Sequence, residues 1–272
     1  MKPKILIVVI HGPYEPWLSI LQDGQSKTWM ESSSKTRIIN AFGIKIHPKL
    51  LKADQEIYYL RWSDNKILAY ASLLLELVTK KIFRLHTYQP EIISVKNQGQ
   101  QEVWEVQMPD SLMLQGVKNM AVFRNSLSCE FDFLVTTITS TYLNVSALEE
   151  YLDKTTQKNF LGGRIEKSGT MKFQQGSFRV FSRDMVQKIV ENSHSYQHWK
   201  IEDIALGRLL SSLSPDFTPI PNLTVESQKE IESILEPDLR TTVSYRCKST
   251  SSGRRIDADL MKLLHQRILK IL

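Results

Sequence analysis

Two cysteines, Cys129 and Cys247, are all that 272 residues contain, too few for a disulfide scaffold and not spaced as a metal knuckle. The chain must be held by an apolar core, and two free thiols in a reducing compartment are the expectation. Long apolar runs are also missing. Ile5–Ile10 ends at His11-Gly12-Pro13, too short for a signal-peptide core, and the stretch from Ile67 to Val78 is interrupted by Glu76. Neither approaches the roughly 20 residues that cross a bilayer, so a cytoplasmic protein is expected. The sequence has no G-x-G-x-x-G, no Walker loop, no G-x-S-x-G and no H-E-x-x-H, which removes dinucleotide-fingerprint dehydrogenases, P-loop enzymes, elbow hydrolases and zincins. Internal repeats and low-complexity segments are absent as well.

An excess of one charge sign is nearly absent: 35 Lys+Arg against 29 Asp+Glu leave +6. That balance suits an anionic ligand such as a nucleotide, or peripheral contact with an acidic membrane. Nucleic acid is not expected, because the basic cluster of the tail has only Tyr245 interleaved with it. What is present is ordinary globular material, 42% hydrophobic and 24% charged, in a length suited to one large α/β domain or two small ones. We favour one: a core domain over 1–222, left through the Pro-rich SPDFTPIPN at 214–222, with a basic segment and helix at 223–272 packed back on it.

The β-branched run Ile5–Ile10 reads as a parallel strand buried on both faces, and the loop at its carboxyl end is where open α/β sheets bind ligands. His11 and Gly12 stand there, as nucleotide contacts or as ordinary loop residues. A helix over 17–31, a strand over 37–43, a buried helix over 64–86 and a surface loop over 94–102 follow. Further strands are expected over 103–106, 131–137 and 173–181, with Ser146 and Ser182 as helix caps, then helices over 202–213 and 257–272.

The informative part is an ordered set of short motifs: FLVTTITSTYLN at 133–144, Gly162-Gly163, QGSFRVFSRDMV at 175–186 and EDIALG at 202–207, with PDSLMLQGVK at 109–118 and Thr28-Trp29 upstream. In order and spacing this set resembles the fringe and beta-1,3-galactosyltransferase type of glycosyltransferase over residues 101–210, and loosely over 1–43. The resemblance implies a GT-A-like fold, a Rossmann-related, mostly parallel central sheet flanked by helices. It also implies transfer of a sugar, with inversion, from a nucleotide-sugar donor, by default a UDP-sugar, to a carbohydrate acceptor. Asp203 would be the base and Glu202 its orienting partner or an acceptor contact. Taken alone, Glu202-Asp203 is also an ordinary acidic start to a helix. Gly162 and Gly163 would let backbone approach the sugar, or would simply serve turns.

The resemblance breaks where the family carries its Asp cluster. Ile138, Thr139 and Ser140 stand there instead, without the carboxylates that hard divalent ions prefer. Hence no metal ligand is assigned, no cofactor is required, and dependence on manganese or magnesium is left open. Thr139 and Ser140 remain donor contacts by position. Arg246 and Lys248, with Arg254 and Arg255, could neutralise the diphosphate in the ion's place, or form a solvated loop. The competing reading is a domain without turnover that keeps glycan or nucleotide binding.

Overall fold

The computed structural model describes residues 2–31, 36–60, 67, 70, 71, 74, 78, 89–96, 102–168, 171–198, 201–213, 217–251 and 254–271. Ile5–Ile10 form β1, buried along its whole length. Successive side chains of a strand face opposite ways, so this run feeds two cores. Ile5, Ile7 and Val9 join one cluster, while Leu6, Val8 and Ile10 join the other. β5 (Phe133–Thr137) and β8 (Met171–Ser182) divide likewise, with Phe133, Val135, Phe178 and Val180 on the first face and Leu134 and Phe181 on the second. Strands apolar on both faces need cover on both sides, and this makes the chain a three-layer α/β structure.

β1 lies between β2 (Arg37–Ile44) and β5 and is parallel to both. β4 (Glu102–Pro109) extends the parallel run beyond β2, and β3 (Ile92–Lys96) closes that edge antiparallel. On the other side β8 and then β7 (Leu161–Ser168) run antiparallel, and β9 (Phe217–Pro219) pairs parallel with β7. The eight-stranded order is β3-β4-β2-β1-β5-β8-β7-β9. The mostly parallel sheet of the sequence reading is therefore parallel at its centre and mixed towards its flanks. Only two residues separate Ser168 from Met171, and so short a connection returns a strand as a hairpin, never as a crossover.

Among the described residues three helices cover the second face: α3 (Gln115–Ser126), α5 (Arg183–Glu191) and α6 (Glu202–Ser212), through Phe123, Met185 and Leu209 among others. α4 (Val145–Asp153) and the C-terminal part cover the first. That part contains a small sheet in which β11 (Ser244–Cys247) sits between β10 (Asn222–Val225) and β6 (Thr141–Leu143). It also contains α7 (Gln228–Ser233), α8 (Glu236–Thr241) and α9 (Asp257–Leu269). Val225, Ile231, Leu239, Tyr245 and Leu264 share one buried cluster with Ile7 and Val135, so residues beyond 222 complete the core begun by β1.

Several local expectations are corrected. The helix expected over 17–31 is one turn, Trp17–Ile20, labelled α1, continued by a π-helical turn at Leu21–Gln25. Pro48–Leu60 form a helix, α2, that the sequence reading did not place. Much of the helix expected over 64–86 lies outside the described residues. Ile67, Tyr70, Ala71, Leu74 and Val78 are helical, but they form a stripe exposed to solvent instead of a buried face. Of the 94–102 loop, residues 94–96 belong to β3 and Glu102 to β4. The cap of α4 is Asn144, not Ser146. Its side chain accepts the Ala147 N–H at 3.2 Å and donates to Leu239 O at 3.0 Å. Ser146 lies inside the helix. Ser182 does precede α5, but its hydroxyl goes to Asp184 and Phe160 and makes no cap bond. Cys129 and Cys247 are both free and buried. No helix among the described residues is long and apolar enough to cross a membrane.

Candidate active site

After β1 the chain places β2 and β4 on one side and β5 on the other, so the loops leaving β1 and β5 diverge. Such a switch point opens a crevice at the carboxyl ends of parallel strands. A cavity of about 330 Å³ is found there, a size suited to a small ligand. His11 and Gly12 line it from the end of β1, and Thr136, Ile138 and Thr139 from the end of β5. β8 supplies Gln175, Gly176, Ser177 and Arg179, the start of α6 supplies Glu202 and Asp203, and β11 supplies Arg246.

Arg179 organises one wall. It is fully buried in β8, between Phe178 and Val180, which face the opposite core. The pleat thus turns its guanidinium towards α6. There Nη1 and Nη2 donate to Oε1 and Oε2 of Glu202, each at 2.7 Å, and Nη2 also donates to Asp203 Oδ1. Asn119 on α3 donates a further bond to Glu202 Oε1. One cation therefore serves two carboxylates, and they divide it unequally. Glu202 receives the bidentate fork, the strongest geometry available to a guanidinium. Burial favours its neutral form, but Arg179 outweighs this and holds the carboxyl below its usual range. For Asp203 burial dominates, with Arg179 opposing and the Glu202 charge adding to the rise, so its pKa is pushed up to about 7. Burial likewise works against Arg179, and the two carboxylates overcome it to keep the guanidinium charged. Gly176 makes room for this arrangement, since a Cβ there would stand 2.9 Å from Asp203 Oδ1.

A second buried ion pair braces the cavity between β1, β2 and α3. Lys118 Nζ donates to Asp110 Oδ2 at 2.9 Å and to His11 O at 3.0 Å, and the Gly43 N–H donates to the same carboxylate oxygen at 2.7 Å. His11 itself is buried, and burial, with Lys118 adding, lowers its pKa to about 4 against the opposing bond to Gly12. Its ring is neutral at pH 7, and Nε2 is buried without a partner. Thr136 Oγ1 and Arg246 Nε are in the same condition.

The sequence-derived site residues separate into two groups. His11, Gly12, Thr139, Glu202, Asp203 and Arg246 converge on the cavity. Ser140 is buried outside its lining, with its carbonyl accepting the Cys247 N–H at 2.7 Å. Gly162 and Gly163 lie in β7, outside the cavity lining, with Gly163 in register with Arg179. A Cβ on Gly162 would collide with Phe160 and Ile220, and Gly163 has φ +145°, a conformation that side chains rarely adopt. Both therefore serve sheet packing. Lys248 is exposed and outside the lining, and Arg255 is held by Asp257. Arg179, Lys118, Asp110 and Asn119 escaped the sequence reading. The available signal for Arg179 was an arginine in an otherwise apolar strand, which demands a carboxylate partner.

The loop after β5 does not fit a divalent ion. Gln25 Nε2 donates to Ile138 O at 3.0 Å and to Thr141 O at 2.7 Å, so these carbonyls are engaged. Ile138 brings no donor, and among the described residues no three His, Cys, Asp or Glu side chains are placed to hold a metal. No protein-family model matches this chain, and no curated protein matches it at a significant level.

Proposed function

We infer that this chain is a GT-A-type glycosyltransferase that moves a sugar from a nucleotide-sugar donor to a carbohydrate acceptor with inversion. The observation that carries the reading is Asp203, a cavity carboxyl brought to about pKa 7 beside the crevice where an open α/β sheet binds nucleotides. A general base works best with a pKa near the working pH. In the reaction the Asp203 carboxylate takes the proton of the acceptor hydroxyl while that oxygen bonds to the anomeric carbon. The bond from this carbon to the donor's terminal phosphate oxygen breaks, and the nucleoside diphosphate leaves with the electron pair. Glu202 is neutralised by Arg179 and positions Asp203 through that shared cation. The motif resemblance over residues 101–210 supports UDP as the nucleotide.

The test measures nucleotide release and sugar transfer across UDP-, GDP- and dTDP-sugars. Asp203→Asn should lower turnover by about 10²- to 10⁴-fold, the range for a lost general base, with donor affinity changed less than about threefold. Absence of binding and hydrolysis across the whole panel overturns the reading. Donor binding with no transfer by the wild-type protein replaces it with a nucleotide- or glycan-binding domain, the function favoured by Asp203 being engaged with Arg179.

A further inference from the structure

We propose that Arg246 is the cavity's phosphate-binding cation, placed to hold a diphosphate by direct guanidinium contact. Naming the ligand a nucleoside diphosphate rests on the reading above, whereas the anion subsite rests on the surroundings of Arg246 alone. Three guanidinium groups gather here: Arg164 and Arg255 each lie within the field of Arg246. Two are matched. Arg164 Nε donates to Glu166 at 3.0 Å, and Arg255 Nε donates to Asp257 at 3.0 Å, with its guanidinium 5.1 Å from the centre of the Trp17 ring. Arg246 makes no side-chain hydrogen bond or ion pair among the described residues, and its Nε is buried without a partner. Asp203 lies within its field, but Oδ1 of that carboxyl is taken by Arg179.

The backbone at this position is paired on both sides. Arg246 sits in the middle strand of the small sheet, in register with Thr224 on one side and Thr141 on the other. Burial, with Arg164 and Arg255 adding, disfavours its charge. Holding such a group without an anion costs stability, and a phosphate removes that cost with two parallel N–H···O bonds.

Gly12 O can only accept, so the His11 Nδ1 that lies 3.0 Å from it carries the ring proton. Nε2 of this neutral ring is then a lone pair. That atom is enclosed by the protein, so the ring brings no positive charge to the lining beside Arg246.

Calorimetric titration of the full chain with UDP, pyrophosphate, inorganic phosphate and uridine, in EDTA and again in magnesium, tests the assignment. Arg246→Gln should weaken UDP and pyrophosphate by roughly ten- to a hundredfold in both buffers and leave uridine unchanged. Arg246→Lys should retain part of the affinity, and it serves as the probe should Arg246→Gln fail to fold. Inorganic phosphate binding as tightly as pyrophosphate, with UDP no tighter than uridine, would make this a free-phosphate site and overturn the diphosphate assignment. Equal UDP and pyrophosphate affinity in wild type and both variants overturns the subsite altogether. The two readings fail separately. Transfer that needs Asp203 while Arg246→Gln binds UDP normally sinks only the subsite, and Arg246-dependent pyrophosphate binding without turnover of any nucleotide-sugar sinks only the transferase.

Discussion

The two walls of the cavity are built on opposite principles. On the β8–α6 wall every charged group has a bonded partner: Arg179 is bonded to Glu202 and Asp203, and Asn119 adds a bond to Glu202. On the wall made by β1, β5 and β11, His11 Nε2, Thr136 Oγ1 and Arg246 Nε are buried and unanswered. A buried polar group left without a partner typically costs about 1–3 kcal/mol. The first wall is therefore finished by the fold, while the second keeps buried polar atoms that the fold leaves unpaired. Lys118–Asp110 shows that burial alone does not make the difference. Its members are nearly as buried as Arg179, yet each is hydrogen-bonded within the fold.

The largest test of this contrast is Arg179→Met. It leaves two carboxylates buried without their cation and should lower the unfolding free energy by about 3–5 kcal/mol, read by urea denaturation. Pairing it with Glu202→Gln should recover part of the loss. A change under about 1 kcal/mol would mean that the paired wall is not held as described.

Next come the pH slopes of His11 and Asp203, one from each wall, which should have opposite signs. His11 has a folded pKa depressed from 6.5 to about 4. Its contribution is present above pH 6.5 and is lost as pH falls through 4, at most about 3 kcal/mol by linkage. Asp203 has a folded pKa raised from 3.8 to about 7. Its contribution is full below pH 4 and is lost as pH rises through 7, the window in which turnover should climb as the base ionises. Stability curves of His11→Gln and Asp203→Asn should each lose one slope and keep the other.

Smaller still is Asn144→Ala, a satisfied group outside the cavity. Losing the cap of α4 should cost about 1 kcal/mol, measurable by thermal or urea unfolding, and Ser146→Ala should cost less. The smallest effect on stability is expected from Arg246→Gln, within about 0.5 kcal/mol of wild type or slightly stabilising, because it relieves repulsion from Arg164 and Arg255. A loss like that of Arg179→Met would show that Arg246 has an answering partner after all.

Much of the scaffold was legible because its signals are local. Six consecutive apolar residues at 5–10 announced a strand buried on both faces, and Ser182 and the acidic pair Glu202-Asp203 announced where α5 and α6 begin. Asp203 and Glu202 were legible as a pair. Their unequal proton affinities were not, because these depend on Arg179, which lies 23 residues away from Glu202 in sequence. The Asn144 cap was missed for a related reason, since Ser146 is the stronger local signal, whereas Asn144 is also drawn in by Leu239 O. Gly162 and Gly163 were open between site and packing, and only the neighbours Phe160, Ile220 and Phe178 decide it.

The sequence by itself determined the layered α/β plan, since residue alternation and apolar run length dictate which strands need cover on both sides. It also determined that the loops after β1 and β5 carry polar residues at the ends of apolar strands. Tertiary structure alone decided which charges meet. It set Arg179 between Glu202 and Asp203, gave Lys118 to Asp110, matched Arg164 and Arg255, and left Arg246 facing the cavity unmatched. Electrostatic pairing depends on separations of a few ångströms between elements far apart in the chain. No local pattern of residues encodes those distances.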